Sequence, residues 1–317
     1  MGSRAGDAAA TTVKWRKLGR VWAPDGSLWW AKSYALLPTV EVVSDGCLRV
    51  HFASLDQDMY GRVGFLDVDA SNPLHVRGVH DEPVLDMGPL GAFDDSGVNP
   101  SCVVSVGGQS ALYYIGWQRC SRVPYMLFAG LAVWDEDRGV FCRQQETPVL
   151  DRTISEPFSR AAPFVLPVSG GFRAWYWSCV GWTEGPEGVH YNNVIRTATS
   201  IDGRVWGAET AICLEPSSGD EYSLGRPWVI READGYHMWF SARSFGRRYV
   251  IGYAESRDGV VWTRRDDLVG ISASATGWDS EMICYPCVVD VIDRRYMFYN
   301  GNRHGSTGFG VAVLEED

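Results

Sequence analysis

The sequence predicts an all-β fold, a single five-bladed β-propeller over residues 12–317. Three observations predict it. Five prolines recur at near-constant spacing, an aromatic-rich strand follows each at a similar distance, and no segment of useful length carries a helical period. Composition agrees: 317 residues, 45% of them hydrophobic, can bury a large core. Fourteen Trp, 14 Tyr and 12 Phe beside 35 Gly favour strands joined by tight turns.

The repeat prolines are Pro38, Pro100, Pro163, Pro227 and Pro286, spaced 62, 63, 64 and 59 residues apart. Each is followed by an apolar run, at 39–43, 101–104, 164–166, 228–230 and 287–289. About ten residues further on lies a second strand, at 48–52, 112–115, 174–177, 237–240 and 296–299. A third strand is clearest at 251–256 and is echoed at 194–200 and 309–313. Asp202-Gly203 and Asp258-Gly259 then supply hairpin turns, each three residues before a tryptophan, Trp206 and Trp262. Four antiparallel strands repeated along a chain make the blades of a propeller.

The last unit ends soon after its third strand, which would leave an open edge. Val13-Lys14-Trp15-Arg16-Lys17 resembles Val261-Trp262-Thr263-Arg264. Residues 12–17 are therefore predicted to supply the outer strand of the last blade and lock the ring. Residues 1–11 read as a disordered tail without the apolar stretch of a secretory signal, so a cytoplasmic location is expected. In a reducing compartment the eight scattered cysteines stay thiols, and the pair Cys284 and Cys287 reads as small buried strand residues.

Several function classes are disfavoured. A net charge of -10 argues against a nucleic-acid partner. No run of 18 apolar residues exists, so no membrane span is expected. The six histidines are dispersed and no second cysteine pair exists, so neither a metal site nor an organic cofactor is expected.

The blade pattern from Tyr253 to Trp262, with Met297-Phe298-Tyr299-Asn300-Gly301-Asn302, resembles the five-bladed propeller glycosidases of the arabinanase, xylosidase and invertase types and the related mannoside phosphorylases. The resemblance covers essentially residues 13–314. It implies that the innermost strand of each blade lines a tapered channel, with the residues before each proline near its mouth. Those residues are Lys32-Ser33-Tyr34, Asp94-Asp95 through Asn99, Glu156 through Arg160, Glu221 through Arg226, and Asp279-Ser280-Glu281. Carboxylates occupy four of the five places, and Asp95 and Glu281 both stand five residues before their prolines.

Cleaving a glycosidic bond needs a carboxylic acid on the leaving oxygen, and an inverting hydrolase adds a carboxylate base about 6.5–9.5 Å away. By resemblance, Glu156 takes the acid position and Asp95 or Asp94 that of a modulator. The first blade departs from the pattern, with Leu37 where arabinanase-type members have Asp. Either Glu281 or Glu221 then acts as base, or the reaction needs none. Phosphorolysis is one such reaction, with Arg160, Arg226 and Lys32 as a phosphate cradle; equally, these cations pair with Glu156 and Glu221. Trp117, Trp182, Trp278 and Tyr285 are candidate sugar platforms, and Tyr34 and Asn99 further contacts. The expectation is a small sugar or glycoside bound where Glu281, Asp95 and Glu156 converge beside Arg226. The alternative is a propeller of this type without hydrolysis, binding a small metabolite or catalysing another acid–base step.

Overall fold

The computed structural model describes residues 13–185, 188–217, 219–246 and 248–315; the tail read at 1–11 lies outside them. The chain opens with β1 (Lys14–Trp22). Four successive groups of antiparallel strands follow. The first holds β2 (Ser33–Ser44), β3 (Cys47–Leu55), β4 (Gly61–Asp69) and β5 (Val76–Val79). The second holds β6 (Gly97–Val106), β7 (Gln109–Arg119), β8 (Tyr125–Asp135) and β9 (Val140–Arg143). In the third are β10 (Arg160–Val168), β11 (Gly171–Gly185), β12 (Gly188–Ser200) and β13 (Ala211–Leu214), and in the fourth β14 (Glu221–Glu232), β15 (Gly235–Ser244), β16 (Val250–Ser256) and β17 (Thr263–Arg264). A last group, β18 (Cys284–Val291), β19 (Arg294–Asn300) and β20 (Phe309–Glu315), takes β1 as its outer strand in the order β1-β20-β19-β18.

The pairing of β1 with β20 follows the sequence reading, and the strand runs further than residues 12–17 suggested. Trp15 faces Leu314 and Trp22 faces Phe309, with register shifts that admit Leu18 and Val21. The Trp15 side chain is buried against Trp239 of β15, edge to face at 6.0 Å, so the strand is anchored to the neighbouring group as well. Lys17 reaches the nearly inaccessible carboxylate of Asp279 at 2.6 Å.

Adjacent groups are tied by aromatic donors. Trp175 Nε1 donates to the Gly259 carbonyl at 2.8 Å, and the Tyr113 hydroxyl donates to that of Gly203. Both glycines have φ of 73°, and a Cβ at Gly259 would sit 2.9 Å from the Trp175 ring. The Asp-Gly turns thus end one hairpin and receive the preceding group.

The first strands of the groups touch in order, β2 to β6, β6 to β10, β10 to β14, β14 to β18 and β18 back to β2. Each carries a one-residue bulge at its repeat proline: the register breaks between Leu36 and Thr39, Pro100 and Cys102, Ala161 and Phe164, Gly225 and Trp228, and Cys284 and Cys287. A proline nitrogen cannot donate to the ladder, so the strand bends there. Cys284 and Cys287 are both buried on this strand, and burial pushes the Cys287 thiol up to about 12.

The Lys17–Asp279 contact gives a test of the β1 lock. Lys17→Met leaves a buried carboxylate without its cation and should lower unfolding free energy by about 3 kcal/mol in urea titration. The added change Asp279→Asn should recover part of that loss.

Candidate functional site

The bulges decide which side chains meet at the centre. Leu37, Asn99, Ala162, Arg226 and Tyr285, the residues immediately before the five prolines, all line one cavity of about 330 Å³. Four of them have positive φ, Leu37 at 53°, Ala162 at 50°, Arg226 at 52° and Tyr285 at 57°. Side chains rarely tolerate this conformation, and it persists where surrounding packing holds it.

Arg226 is buried and pairs with no carboxylate among the described residues. Its guanidinium donates to the Pro38 carbonyl at 3.2 Å, to Thr39 Oγ1 at 2.7 Å and to the Ser101 carbonyl, linking β14 to β2 and β6. Burial pulls its pKa down to about 10, which still leaves it charged at neutral pH.

Above this floor stand aromatic and polar walls. Trp117 lies over Gly97, where a Cβ would come within 2.5 Å of the indole. Trp177 stacks on Tyr191 with centroids 6.1 Å apart. The Tyr191 and Tyr249 hydroxyls meet at 3.2 Å. Burial raises the pKa of Tyr125, Tyr249 and Tyr285 well above the usual phenol value, so all three are neutral donors near pH 7. Asn193 Nδ2 donates to Ser223 Oγ at 3.0 Å. The side-chain oxygens of Asn193 and Asn99 are buried without a partner among the described residues, and both residues line the cavity.

A second cavity of about 460 Å³ adjoins the first and shares Arg243, Tyr249 and His304 with it. Arg248, Arg303 and Tyr34 also line it. His304 has a φ of 63° and packs edge-on to Tyr249 at 5.2 Å. Desolvation, with the charges of Arg243 and Arg248, drives its pKa down to about 4. It is a neutral imidazole at physiological pH.

Among the described residues, no Asp or Glu lines either cavity. Of the residues expected from sequence, Asn99, Trp117, Arg226 and Tyr285 are brought together in the central cavity, and Tyr34 lies on the adjoining one. Glu156, Asp95 and Glu281 do not converge there. Glu156 is buried between the Tyr176 hydroxyl at 3.0 Å, Arg160 at 3.2 Å and Arg196 at 3.7 Å. Asp94 is buried against the Tyr114 hydroxyl at 3.1 Å and Arg143 at 2.8 Å. Asp279 repeats the arrangement with the Tyr299 hydroxyl at 3.0 Å and Lys17. In all three the acid precedes its tyrosine by 20 residues. The regular acids read from sequence therefore form a repeated lock between the inter-group loop, the second strand and a base.

The fourth group varies this lock. Phe240 replaces the tyrosine, and Glu221 takes Arg264 at 2.5 Å. Asp95 is bound locally, accepting from the Gly91 amide at 3.0 Å and from Ser96 Oγ at 3.0 Å. Glu281 pairs with Arg248 at the edge of the adjoining cavity. Arg160, Arg226 and Lys32 form no common cradle: Arg160 holds Glu156, and exposed Lys32 donates to the Gly26 carbonyl at 2.7 Å. Trp182 packs edge-on to Tyr191, and Trp278 stacks on Tyr299 at 5.3 Å.

Sequence reasoning missed Arg243, Tyr191, Tyr249, Asn193 and His304. One signal was present. Leu55, Trp117 and Arg243 each stand three residues after the aligned Phe52, Tyr114 and Phe240, and all three line the cavity. A candidate metal group also went unread: Glu232, Asp234 and His237 bring ligand atoms within 4.8 Å of one another. Glu232 and Asp234 are exposed, and Glu232 also holds Arg295 at 2.5 Å.

No family model matches the chain. The uncharacterized protein Rv1502 of Mycobacterium tuberculosis (strain ATCC 25618 / H37Rv) is 39% identical over 303 residues, spanning 96% of this chain and 100% of that protein. The chain belongs to the Rv1502 family. Solved structures similar to this member of the Rv1502 family are carbohydrate enzymes. A thermostable family-43 glycoside hydrolase matches with TM-score 0.65 and 15% identity over 89% of this chain and 88% of its own. A structure from the GH130 family of mannoside phosphorylases, which contains glycoside hydrolases that target β-1,2 mannosidic linkages in Candida mannan, gives 0.71 and 14% over 98% and 96%. A glycosyl hydrolase from Bacteroides ovatus gives 0.72 and 13% over 96% and 94%. The resemblance to propeller glycosidases and phosphorylases is thereby shown, as a likeness of fold.

Two outcomes follow from the site. Glu156→Gln should lower stability by about 3 kcal/mol in urea titration, since it weakens a buried ion pair. The cavity tryptophans should keep their emission spectrum. For His304 the folded pKa lies below the unfolded value of 6.5, so the unfolded chain binds the extra proton. Stability present above pH 6.5 is then lost as pH falls through about 4. His304→Gln should flatten that part of the melting-temperature profile. The charges of Arg243 and Arg248 act on the ring, and the phenols of Tyr249 and Tyr285 beside it are held above their usual value by burial and stay neutral through this window.

Proposed function

We propose that this chain is a glycosidase-type propeller that binds a small sugar-like molecule in its central cavity without paired-carboxylate hydrolysis. The carrying observation is the lining: aromatic faces and amide oxygens awaiting donors, with no Asp or Glu among the described residues. Sugars present apolar ring faces and many hydroxyl donors, which such a surface complements. The fold shared with glycoside hydrolases and phosphorylases supports a glycosidase-like function. The cavity narrows it to binding, or to a step run by neutral phenols, a neutral imidazole and guanidinium groups.

The same proposal includes the architecture that shapes the cavity. The five four-stranded groups close into a five-bladed ring, β1 supplying the fastening. The contact of β18 with β2 and the pairing of β1 with β20 support it. A cytoplasmic setting, where the buried thiols stay reduced, belongs to it as well.

One observation favours a second reading. Glu281 stands beside the mouth of the adjoining cavity on Arg248, close enough in sequence to Met282 of its lining to serve as a rim acid. A panel of aryl glycosides, assayed with and without phosphate, separates the two. Binding without turnover, read by quenching of Trp117 and Trp177 emission and weakened about tenfold in Asn193→Ala by loss of a hydrogen bond, is the expected result. Turnover that disappears in Glu281→Gln would establish the second reading instead.

A further inference from the structure

Burying a guanidinium is unfavourable unless its charge is met by an anion or by several oriented acceptors. The deeply set arginines of these sheets obey this. Arg62, Arg143, Arg160, Arg196 and Arg264 each rest on a carboxylate. Arg226 has no acid among the described residues but donates to oxygens of Pro38, Thr39 and Ser101 on β2 and β6. Arg243 departs from this. Half-buried on β15, it has no carboxylate partner among the described residues, and its neighbours are the ring faces of Tyr249 at 5.2 Å and Tyr222 at 5.5 Å.

Its position adds a second observation. Arg243 lines both cavities and so stands at their junction. The adjoining cavity adds Arg303 and Arg248, the latter already paired with Glu281 at its edge, and neither lining includes a carboxylate among the described residues. In the central cavity, Asn193 is only 2% exposed, yet its Oδ1 has no donor among the described residues. One side of the junction therefore waits for hydroxyl donors and the other for negative charge.

We infer that the sugar-like ligand carries an oxyanion, a carboxylate or phosphate group, seated on the guanidinium of Arg243. This rests on reading the central cavity as a sugar site. The ring lies on the aromatic walls with hydroxyls toward Asn99 and Asn193, and the anion points toward the arginine-rich side. The phenols of Tyr191 and Tyr249, already within reach of one another, offer hydroxyl groups to the remaining anion oxygens. A neutral His304 permits this without a competing proton transfer at physiological pH.

The test is a tryptophan-emission titration of the full chain with glucose, glucuronate, glucose 6-phosphate and inorganic phosphate, at low and high salt. A charge-assisted pair predicts that at least one of the two anionic sugars binds about 10–100-fold tighter than glucose at low salt. That preference should shrink in high salt. Preference for glucuronate alone assigns the anion as a carboxylate, and preference for glucose 6-phosphate alone as a phosphate; either supports the inference. Arg243→Gln should remove the preference, so that the anionic sugars bind no tighter than glucose, while Arg243→Lys should retain part of it. The salt dependence of the unmodified chain gives the same answer if Arg243→Gln does not fold. Equal binding of glucose and both anionic sugars overturns this inference and leaves the sugar site standing. Glucose binding that requires inorganic phosphate also overturns it, because the anion is then a separate molecule. Absence of binding by every sugar overturns both.

Discussion

Each first strand loses one ladder hydrogen bond at its repeat proline, because that nitrogen has no hydrogen to donate. The strand absorbs the loss as a one-residue bulge, and the residue before the proline is turned off the regular pleat. Five such interruptions at equivalent points aim five side chains at a common centre. Asn99 and Arg226 come from different groups and become neighbours of one cavity only because Pro100 and Pro227 break their strands at matching places. Arg226 then returns the constraint. Its guanidinium binds the bulged backbone at Pro38 and Ser101, so the residue placed by one interruption holds two others in position.

The buried carboxylates serve a different part of the same construction. Asp94, Glu156 and Asp279 sit where a loop between groups meets the second strand of the next, each with a tyrosine hydroxyl and a cation. A buried acid without those partners would be expelled or protonated. With them it fixes the loop relative to the sheet. Lys17 is the cation contributed by β1, so the lock of the last group joins the two ends of the described chain. The arrangement explains how acids at regular positions coexist with a cavity that has none among the described residues. Their regularity belongs to the scaffold, and the cavity is lined one step further along each repeat.

This division accounts for what was legible in the sequence. Spacing of the prolines and aromatic strands reported backbone geometry, and backbone geometry is what repeats; the all-β repeat, its likeness to propeller glycosidases and the β1 pairing could be read from it. The cavity-facing residues obey the same repeat but differ in chemistry from group to group. Leu37, Asn99, Ala162, Arg226 and Tyr285 share a position and nothing else. A search for similar residues at similar offsets therefore found the locks, whose members are alike, and reached the floor only at Asn99, Arg226 and Tyr285. Arg243 was harder still. Its exceptional property is the lack of a carboxylate among the described residues, and a missing partner leaves no mark on sequence spacing.

The contrast between the two kinds of arginine carries the functional reading to its last step. Arg226 and Arg243 line one cavity, and both lack acids among the described residues. Arg226 is fully buried and its terminal nitrogens already donate to the Pro38 and Ser101 carbonyls and to Thr39 Oγ1, which makes it structural wherever the ligand sits. Arg243 is half-buried beside tyrosine rings that attract a cation through their faces but accept only weakly from its N–H groups. A ligand oxyanion brings what those rings lack. In doing so it would replace water around a guanidinium whose hydrogen bonds the described residues have not already directed. The aromatic walls, the unpartnered amide oxygens and this guanidinium are then complementary to different parts of a single small molecule.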